Sequence, residues 1–173
     1  MSLNRAIAIH GVPRSGTSWL GEIFKSAPQV AYRYQPLFSY AFKGRLTPTS
    51  TPAEIEAFCQ ELWRTDDAFV LQRDPAIHPD HGQGHPLEQA THLVWKEVRY
   101  HHVVENLLER SPITALVAII GDPRAVIDSW CRAPKEFDPA WDLMSEWRAA
   151  ARKNQGRPEE FYGYDRWKEA AGI

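Results

Sequence analysis

Cysteine is scarce in this chain: Cys59 and Cys131 are the only two. Two cysteines build no disulfide framework, so the fold must rest on a packed core. Each falls on the apolar stripe of a predicted helix and reads as a small apolar residue. Long apolar runs are missing too. The longest wholly apolar run, Ala115–Ile120, is far short of the ~20 residues that span a bilayer. Charge of one sign is also lacking. The 20 Lys and Arg nearly balance 22 Asp and Glu, for a net charge of −2. That excludes the basic footprint of a nucleic-acid or anionic-membrane binder. Internal repeats and low-complexity tracts are absent. The chain enters its first apolar strand almost at once, which leaves no room for a signal peptide. The expected setting is reducing and cytoplasmic, with a single domain spanning 1–173. Its apolar fraction of 43% and seven tryptophans suffice for a core.

The most informative segment is Gly11-Val-Pro-Arg-Ser-Gly-Thr-Ser-Trp19. The strand Ala6–Ile9 runs into it, and the helical pattern Leu20, Ile23, Phe24 runs out of it. A strand, a Gly-bearing turn and a helix start together form an anion cradle. The first helical N–H groups lack intrahelical partners, and the helix dipole adds partial positive charge there. Thr17 and Ser18 add hydroxyls, and Arg14 adds a fixed cation. A nucleoside-triphosphatase loop reads G-x-x-x-x-G-K-[ST]. Gly11, Gly16 and Ser18 fit that spacing, but Thr17 occupies the lysine position. The cradle therefore suits a single phosphate with Arg14 beside it better than a triphosphate.

Further along, Gln29–Tyr32 reads as a short strand, and the aromatic stretch 33–45 as a loop that either packs or lines an acceptor pocket. Thr51, Pro52 and Glu54 read as a capping box before a helix carrying Ile55, Phe58, Cys59 and Leu62. Residues 72–90 read as a loop. His78, His81 and His85 within it lack the rigid backing of a zinc site. Leu93–Trp95 reads as a strand, and Val103, Val104, Leu107 and Leu108 as a helix. Ile113–Ile120 reads as a strand buried on both faces. Asp122-Pro123 caps a helix with Val126, Ile127 and Trp130 on one side, and two more helices follow at 139–153 and 158–170. Trp130, Trp141 and Trp147 read as core. Alternating strands and helices predict an α/β fold, three-layered and P-loop-like, with a mostly parallel sheet and helices on both faces. Ligands bind such folds at the carboxyl ends of the strands.

Two segments taken together, Pro13-Arg-Ser-Gly-Thr-Ser-Trp-Leu20 and Asp122-Pro-Arg-Ala-Val-Ile-Asp-Ser129, with Lys96-Glu-Val-Arg99 between them, resemble the sulfotransferases that use 3′-phosphoadenosine 5′-phosphosulfate (PAPS). The similarity is to the carbohydrate type and its bacterial relatives, over about residues 5–131. The resemblance implies that Ser15, Gly16, Thr17 and Ser18 hold the 5′-phosphate. It places Arg14 at the bridging oxygen of the phosphosulfate, Trp19 near the nucleotide, and Ser129 on the 3′-phosphate. PAPS would donate a sulfuryl group to a hydroxyl or amine of a small-molecule or carbohydrate acceptor. The product would be 3′-phosphoadenosine 5′-phosphate (PAP), and no metal is required. Glu97 is the expected general base, although a strand-end carboxylate can equally pair with Lys96 or Arg99. His101 and His102 read as solvated helix-start residues.

The family's second motif opens with an arginine eight residues before the serine, and here that position is Gly121. Arg124 is the candidate to compensate. Family domains are usually longer, so the chain reads as the N-terminal portion of a larger domain or as a reduced member. The alternatives are a non-catalytic nucleotide- or anion-binding module of the same fold and a kinase-like phosphotransferase.

Overall fold

Parallel strands need a crossover after each strand, and the alternating pattern of the chain provides them. The computed structural model describes residues 3–75 and 85–171. It places β1 (Arg5–Gly11), β2 (Val30–Tyr34), β3 (His92–Glu97) and β4 (Thr114–Ile119) in one all-parallel sheet, in the order β2–β3–β1–β4. In register, Ala8 of β1 lies beside Trp95 and Leu116, and His10 beside Glu97 and Ala118.

The pleat sends alternate residues of β1 to opposite layers. Ile7 and Ile9 face α1 (Thr17–Lys25), where Leu20 and Phe24 pack with Tyr32 and Val94. Ala6 and Ala8 face the main core, where Leu93 and Trp95 meet Phe58, Cys59 and Leu62 of α2 (Pro52–Arg64) and Leu107 of α3 (Val104–Arg110). Helices therefore cover both faces, as the alternation predicts. The capping box at Thr51 and Glu54 forms as expected. Asp122 caps α4 (Pro123–Cys131) by accepting from Arg124 N. Three short helices follow: α5 (Leu143–Glu146), α6 (Ala151–Asn154) and α7 (Tyr164–Ala171). A further apolar cluster joins Trp130 of α4 to Phe137, Phe161, Tyr162 and Trp167.

Several local expectations change. β4 is an edge strand, half-buried along most of its length, because nothing among the described residues pairs beyond it. A continuous apolar run does not distinguish a central strand from an edge one. The helix predicted over 139–153 is broken, since Asp142 caps a new start at α5 and Ala150 turns left-handed at φ 48°. The helix predicted over 158–170 begins only after Gly163, at φ 93°. Cys59 is fully buried and Cys131 half-buried, and both thiols are free. Trp130 is core, whereas Trp141 and Trp147 are half-buried. Among the described residues, no helix is long and apolar enough to cross a membrane.

Candidate functional site

β1 and β3 are neighbours whose following segments lead to opposite faces, β1 to α1 and β3 to α3. Such a switch point opens a crevice at the carboxyl edge of a parallel sheet. A cleft of about 450 Å³ lies there, lined by Pro13, Arg14, Gly16–Ser18, Tyr34, Gln35, Phe38, Phe69, Lys96, Val98, Arg99, Ser129, Glu136 and Tyr162.

The glycine turn forms one wall. Arg14 and Gly16 both adopt left-handed backbone, at φ 71° and 95°. Glycine adopts this conformation freely, but at Arg14 it is strained. The Ser15 amide and hydroxyl both donate to the Val12 carbonyl, at 3.2 and 2.7 Å, which folds the turn back on itself. Gly16 precedes α1 with no side-chain cap, and the first helical backbone bond runs from Leu20 N to Gly16 O. The opening amides of α1 thus remain available to an anion. Thr17 is buried in the turn and Ser18 is exposed at the rim.

The two motifs meet in the fold. Arg14 Nε donates to Ser129 Oγ at 3.0 Å, across 115 residues of sequence. Ser129 thereby joins the same cleft as the turn.

Lys96 is a site residue to which the sequence assigned no role. Its Nζ donates to Ser18 Oγ at 3.1 Å and sits 4.5 Å from the centre of the Tyr34 ring. Burial lowers its pKa to about 8. The cation missing at Thr17 thus arrives from the neighbouring strand. The legible signal was a lysine directly after the apolar strand Leu93–Trp95.

Other expected residues lie off the cleft. Glu97 occupies the opposite face of β3 and is fully buried, with Oε1 accepting from Leu37 N at 2.8 Å. Burial raises its pKa to about 8, against the opposing pull of Leu37 N, Lys96 and Arg99. Trp19 does not line the cleft and is 72% exposed. Arg124 turns away to Asp122 at 3.0 Å, and this pairing holds the Asp122 carboxyl down at about 2. Arg124 does not line the cleft. Gly121 is close-packed, since a Cβ there would meet Val126 Cγ2 at 2.9 Å.

The far wall draws on residues 136–162, which no motif marked. Arg99 lies 4.6 Å from the Phe38 ring and pairs with Glu160 at 3.3 Å and Glu136 at 3.6 Å. Glu136 also pairs with Lys153 at 2.8 Å and accepts from the Tyr162 hydroxyl at 2.5 Å. Within the aromatic stretch, Tyr34 and Phe38 line the cleft, Tyr32 and Phe42 pack inside, and Tyr40 is solvent-exposed. His102 is exposed as expected, but His101 is largely covered and pairs with His10. His85 donates from Nε2 to the Ser26 carbonyl at 3.0 Å, while His78 and His81 lie outside the described residues.

No family model matches the chain, and neither does any curated protein.

Proposed function

We propose that this chain binds PAPS in the cleft and transfers its sulfuryl group to an acceptor hydroxyl or amine. The observation that carries the proposal is the Arg14–Ser129 contact at 3.0 Å, which unites the two motif segments in one cleft. The sheet order, with a glycine turn leading from β1 into α1, supports the P-loop-like reading.

In this reading the α1 amides and the Thr17 and Ser18 hydroxyls hold the 5′-phosphate, and Ser129 holds the 3′-phosphate. Trp19 offers an exposed indole to the nucleotide. The acceptor oxygen or nitrogen attacks sulfur in line. The bond from sulfur to the bridging oxygen breaks, and its electron pair stays on the departing phosphate. Arg14 and Lys96 neutralise that charge. The acceptor proton passes to Glu136, the carboxylate among the residues lining the cleft. Glu97 acts from beneath, by holding the Leu37 amide and hence the turn that carries Phe38. Positioning and charge neutralisation then supply most of the catalysis. The free thiols support a cytoplasmic setting.

PAP should raise the melting temperature well above the effect of 5′-AMP, and Arg14→Ala should abolish transfer. Equal shifts from the two nucleotides would remove 3′-phosphate recognition, and turnover by the variant would remove the role given to Arg14. A second reading, binding without transfer, draws on Gly121 and on the engagement of Arg124 by Asp122. Its signature is PAP binding with no turnover of labelled PAPS across a broad acceptor panel.

A further inference from the structure

The two edges of the sheet are finished differently. At β2 the outward backbone groups are in use. Val30 N donates to the Ala27 carbonyl at 3.0 Å, and Tyr34 N donates to the Val70 carbonyl at 2.8 Å. The Tyr32 carbonyl accepts from the Arg33 guanidinium at 2.9 Å. At β4 the outward groups are not in use. Ala6 N donates to the Ile113 carbonyl, and Ala6 lies beside Thr114 in register. In a parallel ladder this phase turns the N–H and C=O groups of Ala115, Val117 and Ile119 toward β1. Those of Thr114, Leu116 and Ala118 point away from the sheet. Among the described residues, no turn, loop or cap bonds to them through its backbone.

Natural sheets blunt an open edge with charge, proline or a bulge. Residues 113–120, Ile-Thr-Ala-Leu-Val-Ala-Ile-Ile, contain no charged residue, proline or glycine. The register with β1 runs unbroken from Thr114 to Ile119, so no bulge turns the strand aside. Ala118 is exposed, and Ile120 just beyond is 70% exposed.

We propose that this edge is a dimer seam, where the β4 strands of two copies of the chain pair antiparallel across a two-fold axis. A two-fold contact sets one surface against itself, and an uncharged edge of alternating donors and acceptors matches its own copy. Centring the axis on Leu116 engages all three outward residues. Leu116 meets Leu116 of the partner subunit, and Thr114 meets Ala118 of the partner subunit. Each such pair exchanges two hydrogen bonds, about six in all. The same register sets Ile120 beside Pro112 of the partner subunit. It also brings the exposed Glu109 and Arg110, which precede the strand, toward Arg124 and Asp122 of the partner subunit, which follow it. Acid then faces base at both ends of the seam. The outward groups of β2 are already bonded, so the joined sheet stops at two copies. No residue of β4 lines the cleft, which the seam leaves open.

Sedimentation of the chain at about 100 μM, well above a micromolar dissociation constant, should show a dimer. Ala118→Pro removes one outward N–H and no bond to β1, and edge strands accept proline. The variant should sediment as a monomer and respond to PAP by the same thermal shift as the unaltered chain, whatever the size of that shift. If Ala118→Pro does not fold, amide exchange on the unaltered chain tests the same pairing. The Thr114, Leu116 and Ala118 amides should exchange slowly at high concentration and fast on dilution. Those of Ala115, Val117 and Ile119 should stay slow throughout. A monomer at that concentration, a dimeric Ala118→Pro, or outward amides that exchange fast at every concentration would each overturn the seam. Outward amides that stay slow in the diluted monomer would also overturn it, and would assign the edge to another segment of the same chain.

Discussion

Lys96 and Glu97 are sequence neighbours that the pleat sends to opposite faces of β3. Lys96 reaches the cradle through Ser18, and Glu97 braces the Leu37 amide from inside the core. Burial drives both toward neutrality, lowering Lys96 and raising Glu97 to about 8. The raised value at Glu97 means that the folded state binds its proton more tightly than the unfolded chain does. Its stabilising contribution is complete below pH ~4.5 and is lost as the pH rises to about 8. Lys96, shifted down, acts in a separate window, from about 8 to its ordinary 10.5. Glu97→Gln keeps an acceptor for Leu37 and cannot ionise. Its melting temperature should therefore gain on the unaltered chain between pH 5 and 8, windows set by the Glu97 shift, and level off above. Parallel melting curves across that range would contradict the assignment. Lys96→Met should weaken PAP binding roughly ten- to a hundredfold, as loss of a charged hydrogen bond to phosphate implies. Calorimetry decides it, and unchanged affinity would exclude Lys96 from the anion site.

At the scale of elements, the cradle is only as well placed as α1. Gly21 seats that helix, because a Cβ there would lie 2.2 Å from the Tyr32 hydroxyl. Gly21→Ala gains helix propensity, worth about 1 kcal/mol on a free helix. Here it must push α1 off β2, so the expected outcome is net destabilisation together with weaker PAP binding. A thermal gain with unchanged affinity would refute that seating. α2 is secured at both ends. Thr51 caps its start, and the buried Arg33 guanidinium donates to the Leu62 and Trp63 carbonyls at its end, at 2.8 and 2.7 Å. Removing the cap with Thr51→Ala should cost about 1 kcal/mol in chemical denaturation, without altering the cleft.

For the molecule as a whole, the second motif depends on the C-terminal third. Trp130, one residue from Ser129, is fully buried, with ring centroids 5.0 Å from Phe137, 5.3 Å from Tyr162 and 6.2 Å from Trp167. The same segment brings Glu136 and Tyr162 to the cleft. Trp130→Ala should therefore cost about 3–5 kcal/mol, and it should loosen the Arg14–Ser129 contact. Loss of PAP binding before global unfolding, followed by melting and titration together, is the expected signature. An undisturbed cleft in the variant would show that α4 is held independently of this cluster.

Residues 11–19, the capping box at Thr51 and the cap at Asp122 were legible in the sequence, as was the parallel α/β arrangement. Each rests on interactions within a few residues or on a regular alternation along the chain. The edge position of β4 was not legible, because burial on one side or two depends on which strand pairs beyond it. The break in 139–153 escaped because Asp142 competes locally with a helical pattern that is otherwise continuous. Glu97 was legible as a charge at a strand end, but its direction was not, since one step along a strand reverses the face. Lys96 beside Ser18, Arg14 on Ser129, and His10 against His101 join residues 78, 115 and 91 positions apart. The sequence by itself determined the cradle, because a turn and a helix start are local structures. Only the tertiary structure decided which cations and hydroxyls share the cleft with it, because strand order and pleat set those distances.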